Sequence, residues 1–530
     1  MNIVFLSCCL YDKKLREEKV KKLIALVLAV MLCLSLLPGA MAGGQGDYDS
    51  RVAAEFAEPE MKYRPYARWW LAEGSHTDET LIESIHELYD AGYGGVEFVT
   101  LDESRYLDNA TYAWGSPEWI HDTHVIIEEC RKLGMSVSMT SGTHWATANL
   151  VSIIPDEEAA SQELGFMTVT VENGVFSGEL PQCKLPRNVK QCRLEKVLAV
   201  KVTERGTGKL AKGSVKPTKL DLASVQDITG LAGKNPEGKV ELSWTAPDDG
   251  EYDLFVFWQY GTGESYSPAV SNSYTINYLS TAGAEALIDY WDMQVLTPDV
   301  QALIDEIDEC GLYMDSLELS VHGSDTTGQL WCADMLRQFE TRNAYSAGSY
   351  LPFLIKTGGT FGSPNTWIYE PADEADSKFI GNLRRDFMQT QTELYMENCL
   401  AVLADWLHSR HMKLRAENSY GAPFEISEPA AVLDYIETES MEFGNELDSH
   451  RNMAGGAHLF NKRFSSETGA WISGNYVYDN NYYRQVFYMQ YAAGIQKTVT
   501  HGYSAEYGPE EYVQWPGFEG MDAVWSERFN

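Results

Sequence analysis

Five glutamates each lie near the C-terminal end of a predicted β-strand. They are Glu97 in GGVEFVT, Glu318 in MDSLELS, Glu417 in LRAENSYG, Glu442 in ESMEFGN and Glu467 in SSETGAW. Cleavage of a glycosidic bond needs two carboxyl groups in different environments, because one donates a proton to the leaving oxygen while the other activates water or attacks carbon. Repulsion between neighbouring carboxylates raises the pKa of one of them and supplies that difference. The pattern therefore predicts acid–base chemistry on a sugar.

Two alternative roles for these glutamates stay open. Each could pair with a cation nearby in the sequence, such as Arg415 or Arg463, although burying so many unpaired anions together is costly. The same carboxylates could hold Ca²⁺ or Mg²⁺, although no DxDxDG spacing occurs. The sequence also lacks GxGxxG, GxxxxGKS/T and GxSxG motifs, so we predict neither an organic cofactor nor a serine nucleophile.

Aromatic and hydrogen-bonding residues follow several of the same strands. Trp70 closes the first predicted strand, His144 follows the third, Asn418 follows Glu417, and His501 belongs to the end of the eighth. Aromatic faces stack on the C–H faces of sugars, while histidine and asparagine bind hydroxyl groups. We therefore predict Trp70, Glu97, His144, Asn418 and His501 as substrate-binding residues.

The elements that must position these residues alternate between strands and helices. The predicted strands are 67–72, 95–100, 136–141, 312–319, 413–419, 436–442, 463–468 and 497–502. Eight such repeats predict a (β/α)8 TIM barrel, whose active site lies at the C-terminal ends of the strands. Residues 157–262 break the rhythm with short strands and turns, and they predict an all-β insertion domain after the third strand. The catalytic barrel would then cover residues 61–156 and 263–530.

Composition narrows the class of partner. The 530 residues carry 41 Lys+Arg against 77 Asp+Glu, a formal net charge of −36, with 12% aromatic residues. Such an excess of negative charge opposes binding to nucleic acid and to anionic membrane surfaces. An acidic, aromatic-rich chain favours a neutral amphipathic ligand, and a carbohydrate above all.

The N-terminus predicts secretion. Lysines precede an apolar stretch at 23–37, and Ala40-Met41-Ala42 follows it, which is typical of a signal peptide over residues 1–42. A polar linker is predicted over 43–60, and the protein would be secreted, cell-surface or periplasmic. In that context Cys183 and Cys192 are candidates for a disulfide bond.

The stretches RPYARWWLAEG, AGYGGVEF, WGSPEW, KLGMSV, LSWTAPDDGEYDLFVFWQYGTG, MDSLELS, AENSYGAPFE, ESMEFGN, SSETGAW and HGYSAEYGPEEYVQWPGFEG follow one another between residues 61 and 530. In this order they resemble glycoside hydrolase family 106, the α-L-rhamnosidases. The order is more specific than any single motif, because each motif is short. The family's C-terminal β modules are not matched, so the resemblance is to a divergent and C-terminally truncated member.

The resemblance implies an inverting exo-glycosidase that acts on terminal α-L-rhamnose of plant or microbial glycans, with Ca²⁺ near the sugar. It implies Glu318 as general acid, and Glu417 and Glu442 as the base and a water- or calcium-positioning group, in either order. Glu467 would bind substrate or support those residues. Two alternatives stay open: a non-catalytic carbohydrate-binding protein on the same barrel, and an exo-glycosidase of another sugar specificity.

Overall fold

The computed structural model of the chain describes residues 45–72, 77–101, 111, 113–143, 148–207, 216–266, 271–317, 319, 328–357, 366–418, 424–441, 443–444, 446–470 and 479–504. The chain divides into two compact units, residues 1–60 and 61–530. In the first unit, helix α1 spans Gln45–Ala57, inside the stretch predicted as a polar linker. The predicted signal peptide lies outside the described residues.

The second unit opens with strands and helices in alternation. A 3-10 turn at Met61–Tyr63 leads into β1 (Tyr66–Ala72), α2 (Asp78–Asp90), β2 (Gly95–Leu101), α3 (Pro117–Leu133) and β3 (Ser136–Thr140). Helix α2 begins at a capping box in which Thr77 and Thr80 satisfy each other's backbone N–H groups. Helix α3 begins after the cap residue Ser116, and it ends at Gly134 in the left-handed conformation. These end signals determine where the two helices begin and where α3 ends.

Between β3 and the fourth barrel strand the chain first forms strands and short 3-10 helices. The strands are β4 (Asn149–Leu150), β5 (Gln162–Thr170), β6 (Val175–Glu179), β7 (Arg193–Glu204), β8 (Thr218–Leu220), β9 (Gln226–Asp227), β10 (Gly233–Lys234), β11 (Val240–Thr245), β12 (Tyr252–Gly261), β13 (Ser265–Tyr266) and β14 (Ser273–Thr275). The 3-10 helices are Glu172–Gly174, Leu222–Ser224 and Thr229–Leu231. Strand β12 lies between β5 and β7, and all its residues are buried.

The rest of the unit returns to alternating helices and strands. In order they are α4 (Thr281–Tyr290), a π-helix (Trp291–Val295), α5 (Pro298–Ile304), β15 (Cys310–Met314), β16 (Gln329–Trp331), α6 (Met335–Asn343), a 3-10 helix (Gly348–Leu354), β17 (Lys356–Thr357), β18 (Thr366–Trp367), β19 (Tyr369–Pro371), a 3-10 helix (Glu374–Asp376), α7 (Ser377–Tyr395), a π-helix (Met396–Leu400), α8 (Ala401–Ser409), β20 (Lys413–Glu417), a 3-10 helix (Glu428–Ala431), β21 (Tyr435–Glu439), α9 (Leu447–Leu459), β22 (Arg463–Thr468), α10 (Asn480–Ala493) and β23 (Lys497–Ser504).

The β-rich segment shares a sheet with later parts of the chain. Strands β16 and β19 form the two ends of the order β16-β5-β12-β7-β8-β19. Strands from beyond residue 262 therefore complete the sheet, and residues 61–530 form one compact unit. A separate insertion domain with the bounds 157–262 remains a prediction.

Eight strands close into a parallel barrel in the order β1-β2-β3-β15-β20-β21-β22-β23. The last strand pairs with the first, in parallel, which confirms the predicted α/β barrel. Alternate side chains along each strand point into the barrel. The fourth barrel strand, β15, ends at Met314 rather than at the predicted residue 319, so the first acidic residue beyond it is Asp315 and not Glu318.

One further expectation concerns the cysteines. All six cysteines in the described part of the chain are free, Cys183 and Cys192 among them, so the disulfide considered from the sequence is not formed in this structure.

None of the helices among the described residues is both long enough and apolar enough to cross a membrane.

Candidate active site

Four charged side chains form a belt across the barrel interior. Arg68 on β1 lies opposite Glu97 on β2, and its Nε and Nη2 are both 2.9 Å from Glu97 Oε1. Arg415 on β20 contacts the other oxygen of Glu97 and holds both oxygens of Glu437 on β21 at 2.6 Å. All four side chains are buried. We call Arg68, Glu97, Arg415 and Glu437 the belt, and its two positive and two negative charges balance.

Tyr313 on β15 connects the belt to Glu417. The guanidinium carbons of Arg68 and Arg415 lie 4.8 Å and 4.1 Å from the centre of its ring, within range of cation–π attraction. Its hydroxyl donates a hydrogen bond of 3.0 Å to Glu417 Oε2. The position of the Glu417 carboxylate is therefore tied to the belt through a fully buried ring.

Three further carboxylates gather at the C-terminal ends of the barrel strands. Asp315 follows β15, Glu417 ends β20, and Glu467 is the penultimate residue of β22. One oxygen from each lies within 4.8 Å of the others, and all three residues are buried. We call these residues the carboxylate triad. Arg68 of the belt contacts two of the three, Asp315 and Glu467, so the belt offsets part of the triad's charge, and a proton, a cation or a bound ligand can offset more.

Burial shifts the proton equilibria of these groups. It raises the pKa of Glu467 to about 8, with Asp315 and Glu437 adding to the rise and Arg68 opposing it. Burial also raises the pKa of Asp315, again against the attraction of Arg68. The pKa of His501 is well below its ordinary value because the ring is buried and lies near Arg68. At neutral pH we therefore expect a proton on Glu467 and a neutral imidazole on His501.

Groups suited to sugar binding lie close to the triad. The ring of Trp70 meets the ring of His501 edge to face at a centroid distance of 4.5 Å, and His501 Nε2 is 3.4 Å from Glu467 Oε1. Asn418 follows Glu417, and its Oδ1 accepts a hydrogen bond of 3.0 Å from Tyr395. Its buried Nδ2 has no hydrogen-bond partner among the described residues. A buried amide donor of this kind is suited to a ligand hydroxyl.

The structure brings together most of the predicted site residues that it describes. Trp70, Glu417, Asn418, Glu467 and His501 lie at one end of the barrel. Glu318, Glu442 and His144 lie outside the described residues, so their predicted roles remain predictions.

Glu97 is the one described residue whose predicted role changes. It is only the third residue of β2, it is fully buried, and both its oxygens are held by the arginines of the belt and by Ser138, whose hydroxyl donates at 3.1 Å. We therefore assign Glu97 to the belt rather than to substrate binding. Pairing with a cation, the alternative role that the sequence left open, applies to this glutamate.

Sequence reasoning did not identify Arg68, Asp315 and Glu437 as parts of the site. A signal was present, because Arg68 and Trp70, and likewise Arg415 and Glu417, occupy alternate positions of buried barrel strands. Polar residues at alternate positions of a buried strand indicate a polar barrel interior.

Comparisons with known proteins agree with the barrel fold. No family model matches the chain. A curated relative from Formosa agariphila, named "Putative beta-glucuronidase", is 20% identical over 427 residues, which are 77% of this chain and 34% of the relative. The solved structure of a rhamnosidase from Novosphingobium sp. PP1Y matches with a TM-score of 0.56 at 13% identity, over 85% of this chain and 56% of that one. The chain thus spans about a third of the curated relative, and the structural likeness shows a shared fold.

Proposed function

We propose that this protein is a secreted glycoside hydrolase that removes a terminal sugar, α-L-rhamnose, from plant or microbial glycans. The observation that carries the proposal is the carboxylate triad at the C-terminal ends of the barrel strands. Carboxyl groups in different protonation states at this end of a barrel are what glycosidic hydrolysis requires. Trp70 adds a stacking surface. The amide nitrogen of Asn418, which has no hydrogen-bond partner among the described residues, adds a donor.

The two similar proteins support this class of reaction, since both carry the names of glycosidases. The choice of rhamnose rests on the resemblance of the sequence motifs to family 106. Secretion rests on the sequence of residues 1–42. The acidic composition adds support for a carbohydrate partner and against nucleic acid or membrane partners.

The spacing of the triad bears on the roles of its members. An inverting acid and base stand about 6.5–9.5 Å apart, to leave room for a water molecule. Oxygens of the triad lie within 4.8 Å of one another, which is too close for two of its members to flank that water. The acid and the base are therefore not both members of the triad, and we retain Glu318 as general acid, with Glu417 and Glu442 as the base and a water- or calcium-positioning group, in either order.

The triad also fits a calcium ion. Ca²⁺ binds carboxylate oxygens, and Asp315, Glu417 and Glu467 offer three buried carboxylates with oxygens within 4.8 Å of one another. When bound, the ion would supply positive charge that orients sugar hydroxyls. In its absence, Arg68 and a proton on Glu467 reduce the same excess of negative charge.

A panel of 4-nitrophenyl glycosides tests the function. We expect release of nitrophenol from the α-L-rhamnoside, with none from the β-D-glucuronide, and ¹H NMR should show the inverted anomer as the first product. Dialysis against EDTA should lower kcat/KM at least tenfold, and Ca²⁺ should restore it. Binding of rhamnose without release of nitrophenol from any glycoside would favour the non-catalytic alternative. Release of nitrophenol from another glycoside alone would show that the enzyme is specific for that other sugar. Indifference to EDTA, with no metal detected by mass spectrometry, would exclude the calcium assignment.

A further inference from the structure

We propose that Arg68 is a positioning residue that holds two members of the carboxylate triad, Asp315 and Glu467, in register at the barrel axis. Its guanidinium is occupied by Glu97 on one edge and by Asp315 and Glu467 on the other, so it acts through these carboxylates rather than on a substrate. The expected effect of replacing Arg68 on kcat rests on the proposed function. The expected movement of the two carboxylates does not depend on that function.

One edge of the guanidinium is anchored below the triad. Nε and Nη2 of Arg68 share Glu97 Oε1, each at 2.9 Å. Glu97 is fixed in turn, since its Oε2 accepts from Ser138 at 3.1 Å and contacts Arg415. The anchor residues come from β2, β3 and β20, so three other strands of the barrel determine where this edge of Arg68 lies.

The remaining nitrogen reaches the triad. Nη1 lies 3.3 Å from Asp315 Oδ2 and also contacts Glu467 Oε2. A single N–H₂ group therefore joins the carboxylate of Asp315, which follows β15, to the carboxylate of Glu467 near the end of β22. A cation between these two carboxyl groups reduces the repulsion between them and holds them together.

Lysine is unable to reproduce this arrangement. The guanidinium is planar and presents its donors in a fixed fork, so anchoring one edge determines where the third nitrogen lies. An ammonium group keeps the charge but has a single nitrogen, which is unable to contact Glu97 and both triad carboxylates at these distances. The substitution Arg68→Lys thus removes the positioning and retains the charge.

Arg384→Lys is the matched control. Arg384 on α7 is part-buried, contacts Glu370 at 3.0 Å and lies over the ring of Trp367 at 4.0 Å. Its guanidinium also donates to the carbonyls of Phe353 and Tyr369, and none of these partners belongs to the belt or the triad. A general effect of replacing a multiply bonded arginine by lysine predicts that the two variants behave alike.

Crystal structures of the two variants beside the wild type provide a readout that needs neither substrate nor metal. In Arg68→Lys we expect the carboxylates of Asp315 and Glu467 to move apart, and in Arg384→Lys to keep their positions. Calcium titration by calorimetry should show about tenfold weaker binding for Arg68→Lys alone. On the hydrolysed glycoside, kcat should fall about 10²-fold with KM within threefold for Arg68→Lys, since small misplacements carry such penalties.

Unmoved carboxylates in Arg68→Lys, or the same displacement in both variants, would overturn the positioning role. Failure of the wild type to hydrolyse any glycoside would remove the proposed function, while the structures of the variants would still decide the role of Arg68. Hydrolysis by the wild type with equal kcat in both variants would retain the function and overturn the inference.

Discussion

Replacement of Glu417 by glutamine is expected to lower kcat/KM on the hydrolysed glycoside by about 10³-fold, within the range that acid–base groups contribute. Glu417 is buried at the end of β20, and its Oε2 accepts a hydrogen bond from Tyr313. Glutamine has the same shape, and its amide oxygen can accept the same bond, so the fold should persist. It lacks the negative charge that each role open to Glu417 requires, which are activating water as the base, orienting water and holding calcium.

The control for this prediction is Glu309→Gln at the other end of the same barrel. Glu309 accepts hydrogen bonds from Tyr66 at 3.0 Å and from Tyr435 at 2.5 Å, so it is also a glutamate held by tyrosine hydroxyls. Its replacement should change the melting temperature and leave kcat/KM within about threefold, since no part of the proposed chemistry lies there. Comparable loss in both variants, or full activity of Glu417→Gln, would contradict the placement of the site at the C-terminal ends of the strands.

The sequence was sufficient to predict the barrel because its strands are short and because helices with capping residues follow β1, β2 and β22. The helix that begins after Ser116 and ends at Gly134 illustrates this, since both ends are determined by local residues. The C-terminal limit of β15 was wrong by five residues, because the apolar residues Leu317 and Leu319 continue the alternation. Both are buried in the core beyond the strand, so burial gave a strand-like pattern where no barrel strand runs.

The ion pairs of the site were beyond prediction for a different reason. Arg68 and Glu467 are 399 residues apart in the chain, and no local pattern reports which carboxylate a buried arginine meets. The sequence did offer Arg415 as a candidate partner for a glutamate, and it pairs with Glu97 and Glu437. What local reasoning lacked was the register of the barrel, which alone places Arg68 opposite Glu97 and below the triad.

Lys497 is expected to destabilise the protein at neutral and acidic pH, so Lys497→Met should be more stable than the wild type. The side chain is 5% exposed, and burial lowers its pKa from 10.5 to about 7, with Arg415 and Arg463 contributing and Glu309 opposing. Between these two values the unfolded chain binds more protons than the folded one, so wild-type stability rises with pH across that window. At pH 6 the protonated amine costs about 4–5 kcal/mol relative to the unfolded chain.

Urea unfolding at pH 6, 8 and 10 tests this prediction. The gain from Lys497→Met should be about 2 kcal/mol at pH 6, after the loss of the cation–π contact of the amine with the Tyr66 ring at 3.2 Å and of its contact with the Arg64 carbonyl at 3.4 Å, and it should shrink as the pH approaches 10. Lys413→Met is the matched control. Lys413 also begins a barrel strand, and with Lys497 it lines a small cavity at the N-terminal end of the barrel, but its side chain is half-exposed. A gain that does not vary with pH, or an equal gain in Lys413→Met, would mean that apolar contact rather than the buried charge of Lys497 limits stability at this end of the barrel.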